Sequence, residues 1–92
     1  MRIKPDFESA HNNIGEALTK QGRIDEAIKH YVKALRIKPD YVNAHNNLGL
    51  ALFNKGDIDG SIEHFQKALK INPDHVSAKN YLKKVLMLKK RQ

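Results

Sequence analysis

Apolar residues recur along this chain at intervals of three and four, the spacing of one helix face. Between residues 7 and 20 they are Phe7, Ala10, Ile14, Ala17 and Leu18. Between 24 and 37 they are Ile24, Ala27, Ile28, Tyr31, Ala34, Leu35 and Ile37. The pattern then returns and predicts helices over about 7–20, 24–37, 41–54, 58–71 and 75–90, each antiparallel to the next. Gly22 and Gly56 separate paired helices and can turn left-handed at a helix end. Pro39 and Pro73 stop the second and fourth helices, because proline disfavours helix in the residue before it. Asp6, Asp40 and Asp74 stand where N-caps are wanted. Asp25, Glu26, Asp57 and Asp59 flank the starts of the second and fourth helices, as the helix dipole favours.

The pattern is an internal repeat. Residues 5–38 and 39–72 align without a gap over 34 positions, and 18 of these are identical. A third copy starts at Pro73-Asp74 and covers only the first half of the unit. A fixed period of this length means stacked copies of one supersecondary unit, which form a core only against their neighbours. The expected architecture is an all-α solenoid of helix hairpins: one domain over 1–92, with repeats at 5–38 and 39–72 and a capping helix at 73–92. Gly15 and Gly49 lie mid-helix at ~1 kcal/mol against alanine, so each is expected to mark a close helix contact. The expected partners are Ala27 and Ala34, then Ser61 and Ala68, with Leu18, Tyr31, Leu52 and Phe65 filling the space beside them. Lys83 holds the equivalent place in the third copy, where no second helix could approach, so the last helix reads as a cap.

Composition narrows the function classes. No cysteine is present, so neither a disulfide nor a thiolate metal site is possible. The net charge is +7, but residues 1–78 hold 11 basic and 10 acidic residues. The excess sits in 79–92, where Lys79, Lys83, Lys84, Lys89, Lys90 and Arg91 meet no acid. One short basic segment with a single aromatic, Tyr81, is a thin case for nucleic acid. It serves the helix C-terminus and solubility, with attraction of acidic partners as a side effect. Met1-Arg2-Ile3-Lys4-Pro5 has no signal-peptide run and no segment approaches a membrane span, so a cytoplasmic protein is expected. The same five residues are similar to Arg36-Ile37-Lys38-Pro39, the tail of a repeat, so the expectation is a piece excised from a longer array, with the first helix left uncovered. His11 and His45 are one period apart, as are His30 and His64, and duplication accounts for both pairs. No two histidines have the i, i+4 spacing of ligands on one turn. With no phosphate loop or nucleophile motif, no metal, cofactor or enzymatic activity is expected.

Asn13-Ile14-Gly15, Ala17-Leu18, Gly22, Ala27, Tyr31, Ala34 and Pro39 together resemble the tetratricopeptide repeat. Asn47-Leu48-Gly49, Ala51-Leu52, Gly56, Ser61, Phe65, Ala68 and Pro73 repeat the resemblance in register. It implies a right-handed superhelix with a concave groove, lined by the first helix of each repeat, that binds peptides. Two departures stand out. His11 and His45 occupy a place where the family often has tryptophan. Gly60-Ser61 replaces the usual Glu-Ala, which should loosen the start of the fourth helix. Ala-His-Asn-Asn-(Ile/Leu)-Gly further resembles the superhelix of the O-linked N-acetylglucosamine transferase. There, one asparagine per repeat holds the backbone of an extended substrate. The matching residues are Asn13 and Asn47, and Tyr81 breaks the ladder. The family's carboxylate clamp is met only at Asn47 and Lys84, and Glu16 would repel a carboxylate.

Helical geometry assigns one exposed face per first helix. It comprises Ser9, Asn12, Asn13, Glu16 and Lys20 on the first helix. On the third it comprises Asn43, Asn46, Asn47, Leu50, Phe53 and Asn54. On the fifth it comprises Ser77, Asn80, Tyr81, Lys84 and Leu88. Asparagine both donates and accepts, so it can match a peptide unit. Leu50 and Phe53 offer an exposed apolar spot for one ligand side chain. The plainer alternative is solvated scaffold copied by duplication. On the last helix Ala78, Tyr81, Leu82, Val85, Leu86 and Leu88 span about 160° at about 100° per residue. That is wide for a solitary cap, and Tyr81, Val85 and Leu88 are the expected self-association contacts. Two readings remain: a non-catalytic scaffold binding an extended protein or peptide, or a homo-oligomerising structural unit.

Overall fold

The structure, a computed structural model, describes residues 6–91. Five helices follow in order: α1 Phe7–Lys20, α2 Ile24–Ile37, α3 Val42–Lys55, α4 Ile58–Ile71 and α5 Val76–Lys90. No strand occurs among the described residues. The likeness of residues 1–5 to a repeat tail lies outside the described residues.

Local chemistry sets the helix ends. Asp6 caps α1, accepting from the Ser9 amide at 2.9 Å and the Ser9 hydroxyl at 2.7 Å. Those bonds hold its carboxyl below the usual range. Asp57 caps α4 through the Gly60 amide at 2.9 Å. Asp40 and Asp74 do not cap. They occupy tight turns closed by Tyr41 N to Lys38 O and by His75 N to Asn72 O, both 3.1 Å. Proline with its fixed φ suits the second position of such a turn. The turn displaces the helix start by one residue, so Tyr41 and His75 are the N-caps, and His75 Nδ1 accepts from the Ala78 amide at 3.2 Å. Gly22 and Gly56 take φ of 79° and 94° as foreseen. At Gly22 the Arg23 amide returns to Leu18 O at 2.9 Å, the six-to-one bond of a left-handed helix stop.

α1 packs on α2 and α3 on α4 as hairpins, and α2 on α3 and α4 on α5 join the hairpins into one elongated array of 54 × 29 × 18 Å. Two core clusters result, one around Leu18, Tyr31 and Leu48, the other around Phe65, Ala78 and Val85. The contact expected of Gly15 and Gly49 differs from the sequence reading. It is an aromatic ring, not small residues, that lies against each glycine. A Cβ at Gly15 would lie 2.7 Å from Tyr31 Cδ1, and one at Gly49 would lie 2.8 Å from Phe65 Cε1. Ala27, Ala34, Ser61 and Ala68 are fully buried, but elsewhere on the same faces. The buried Tyr31 hydroxyl pairs with Thr19 Oγ1 at 3.2 Å. In the second copy both partners become phenylalanine, Phe65 and Phe53, so no buried hydroxyl is orphaned. α4 starts at Ile58 despite Gly60-Ser61, with the Ser61 hydroxyl donating to Ile58 O at 2.7 Å.

Candidate functional site

α1, α3 and α5 are the first helices of successive units, and α1 touches α3 as α3 touches α5. Their equivalent residues stand in columns 34 apart: Asn13, Asn47 and Tyr81; Glu16, Leu50 and Lys84; Lys20, Asn54 and Leu88. These columns form the candidate groove face.

The asparagines divide into two kinds. Asn12 and Asn46, expected on the exposed face, are buried at 3% and 7% exposure. Each points at the next first helix, which helical spacing within one helix could not show. Asn12 Oδ1 accepts from Asn47 Nδ2 at 3.0 Å, and Asn46 Nδ2 donates to Ser77 Oγ at 3.2 Å. Asn80 is exposed, with no further first helix beside it among the described residues. Asn13, Asn43 and Asn54 are exposed as expected, and Asn47 is half-buried. Asn47 Nδ2 also donates to Glu16 Oε1 at 3.0 Å. Its amide hydrogens therefore tie α1 to α3, and its Oδ1 is the atom left to accept from a ligand. Ser9 Oγ and Tyr41 OH, 3.3 Å apart, add a further tie between the same helices.

The apolar part of the face is less exposed than expected. Leu50 and Phe53 are half-buried and pack against the second core cluster. Tyr81 is half-buried and stacks on Phe65 at 5.9 Å between centroids, with Lys84 Nζ 5.7 Å from its ring centre. Val85, expected in a self-association surface, is 1% exposed and belongs to the core, because α4 closes over that side of α5. Leu88 is exposed, as are Leu86 and Met87. A cavity of about 410 Å³ opens between α3 and α5, lined by Phe53, Tyr81, Met87 and Leu88 with Lys84 and Arg91 also at its wall. A second of about 260 Å³ lies between α1 and α3 at Glu16, Lys20, Asn47 and Leu50. Another, about 570 Å³, is elsewhere, between α2 and α4 over His45 and Leu48. Of its three cations, Arg36 and Lys70 stand in last helical turns, where the dipole favours them, and Lys67 pairs with Glu63 at 3.1 Å.

Sequence reading missed the histidine pairs. Nδ1 of His11 lies 3.1 Å from Nδ1 of His30, and His45 and His64 repeat that geometry at 3.1 Å. The one available signal was a spacing of 19 residues that occurs in both copies. His45 Nε2 lies 2.8 Å from Pro39 O and must donate to it. His64 Nδ1 is then placed to donate to His45 Nδ1. Burial first, then the His45 and Lys67 charges, lower the His64 pKa to about 4. His30 is lowered too, by desolvation and then by Lys33. Among the described residues no three histidine, aspartate or glutamate side chains gather as metal ligands. No described helix is long and apolar enough to cross a membrane.

A TPR repeat model matches residues 15–56 and a tetratricopeptide repeat model matches 42–75, together most of the chain. The chain belongs to the tetratricopeptide-repeat family. No curated protein matches it. Among solved structures, a MamA RS-1 double mutant and MamA residues 41–end from Desulfovibrio magneticus RS-1 are each 26% identical, at TM-scores of 0.87. Each alignment covers 97% of this chain and 50% of MamA. The APC/C hetero-tetramer Cut9-Hcn1 is also similar at 26% identity and a TM-score of 0.84, over 87% of this chain and 15% of that one. This tetratricopeptide-repeat chain thus spans half the length of the MamA structures it resembles. Its family is one of protein-interaction modules.

Proposed function

We propose that the chain is a non-catalytic scaffold that binds an extended peptide across α1, α3 and α5. The observation that carries this reading is the alignment of Asn13, Asn47 and Tyr81 in one column, with one open cavity lined by Asn47 and Leu50 and another lined by Phe53 and Tyr81. Asn13 is exposed and supplies both a donor and an acceptor, and Asn47 supplies its Oδ1. Such groups match main-chain N–H and C=O without reading side chains. Asn13→Ala should weaken a peptide selected from an array by roughly two- to ten-fold, the worth of one hydrogen bond. The melting temperature should stay unchanged, because Asn13 is on the surface. Equal affinity of the variant would remove Asn13 from the binding face.

A second reading, self-association, has its own observation. On α3, Ala44, Leu48 and Ala51 are 0–3% exposed because α2 covers them. Their equivalents on α1 are Ala10, Ile14 and Ala17, all exposed, and Phe7 beside them is 59% exposed. This face is shaped for a helix like α2. A second copy seated there would sediment as a dimer, and Ile14→Glu would return it to monomer. A wild type that stays monomeric at high concentration refutes this reading.

A further inference from the structure

We infer that the groove is charge-directed, and this rests on the peptide reading above. It takes a segment with a basic residue at the α1 end. At the α5 end it takes a bulky apolar side chain beside an acidic one. The middle column runs Glu16, Leu50, Lys84, so acid, apolar and base follow one another across three equivalent positions.

Neither charge has an opposite charge as partner among the described residues. Lys84 lies inside α5, not in its last turn, so the dipole does not call for it. The donors on Glu16 Oε1, Asn47 at 3.0 Å and Asn12 at 3.4 Å, are neutral amides, so they orient the carboxylate and leave its charge uncompensated. Lys20 also lines the α1-side cavity and tempers that end. The α5-side cavity holds Lys84 and Arg91 with no acid in its lining, and a floor of Phe53, Tyr81, Met87 and Leu88. An apolar side chain fills that cavity while a neighbouring carboxylate meets the two cations at its wall. The same carboxylate placed at the α1 end meets Glu16.

Spacing follows from helix packing. Neighbouring helices lie ~8–10 Å apart, so α1 to α5 spans roughly 20 Å, about six residues of extended chain at ~3.3 Å each. The probes are capped ten-residue peptides with a lysine and a glutamate about six residues apart and a phenylalanine beside the glutamate, made in both chain directions. Controls carry lysine at both places or glutamate at both. In fluorescence anisotropy at low salt, the better charge-separated peptide should bind about three- to ten-fold more tightly than either control. Lys84→Glu should make the doubly lysine peptide the tightest of the set. Glu16→Gln keeps an acceptor for Asn47 and should lift the penalty on the doubly glutamate peptide, with an unchanged circular-dichroism melt. The inference is overturned if the four peptides bind within two-fold of one another, if none binds, or if Lys84→Glu leaves their order unchanged. If an array peptide still binds in an Asn13-dependent way, the groove reading stands and only the charge rule falls.

Discussion

Replacing Gly49 by alanine sets two effects against each other, and the structure decides their balance. Alanine is favoured over glycine inside a helix by ~1 kcal/mol. The new methyl, however, would sit 2.8, 2.9 and 3.0 Å from Phe65 Cε1, Cδ1 and Cζ. Carbon atoms prefer about 3.5–4.0 Å, so the ring must retreat by more than half an ångström. Phe65 is fully buried among Ile62, Ala68, Ala78 and Val85 and stacked on Tyr81, so it has nowhere to go. Overpacking of this kind costs about 1–3 kcal/mol. With the ring held on every side the cost falls in the upper half of that range, ~2–3 kcal/mol, so after the ~1 kcal/mol helix gain the net loss is about 1–2 kcal/mol, or roughly 5–15 °C in melting temperature for a chain this size. Urea unfolding followed by circular dichroism measures it. Phe65→Val removes all three crowding atoms, and in that background Gly49→Ala should become neutral or stabilising. A Gly49→Ala variant as stable as wild type, or a penalty that persists beside Phe65→Val, would refute the ring contact as the reason for glycine.

Three further expectations follow from the geometry. His64 is held neutral with its pKa lowered, so the unfolded chain binds protons more readily than the folded one. Stability is therefore complete above about pH 6.5 and falls through the interval down to about 4. The urea midpoint should drop between pH 7 and 4.5, and less so in His64→Gln; a flat profile there would contradict the pairing. Asn47→Ala removes two bonds that tie α1 to α3 and should lower stability by about 1–2 kcal/mol, whereas Asn13→Ala should stay within about 0.5 in thermal unfolding. Asp57→Ala should lose a cap worth about 1 kcal/mol, while Asp40→Ala, which removes no cap, should lose less in the same assay.

Much of the array was legible in the chain. The 34-residue period, the five helices and the left-handed glycines are local properties, each decided within a few residues. Proline marked where α2 and α4 stop, and glycine where α1 and α3 stop, because backbone sterics act on the residue itself and its neighbour. Asp40 and Asp74 mark the limit of that reasoning. An aspartate before an apolar run can cap a helix or sit in a turn, and only the bonds from Tyr41 N and His75 N select the turn.

The functional face depended on tertiary structure. Periodicity places Asn12, Asn13, Asn46 and Asn47 on adjoining strips of a helix, but it does not say which strip the next first helix will cover. In the folded chain Asn12 and Asn46 are buried against it while Asn13 stays in solvent. Val85 likewise looked like part of an open arc until α4 closed over it. The histidine pairs join residues 19 apart, a distance that becomes contact only when a hairpin closes. The sequence by itself determined the helices, their order and their repeat, because those follow from interactions near in the chain. Which side chains meet a neighbour and which meet water was decided by how the hairpins stack. Identical residues at Ala10 and Ala44, and at Ala17 and Ala51, end up exposed in one copy and buried in the other for that reason alone.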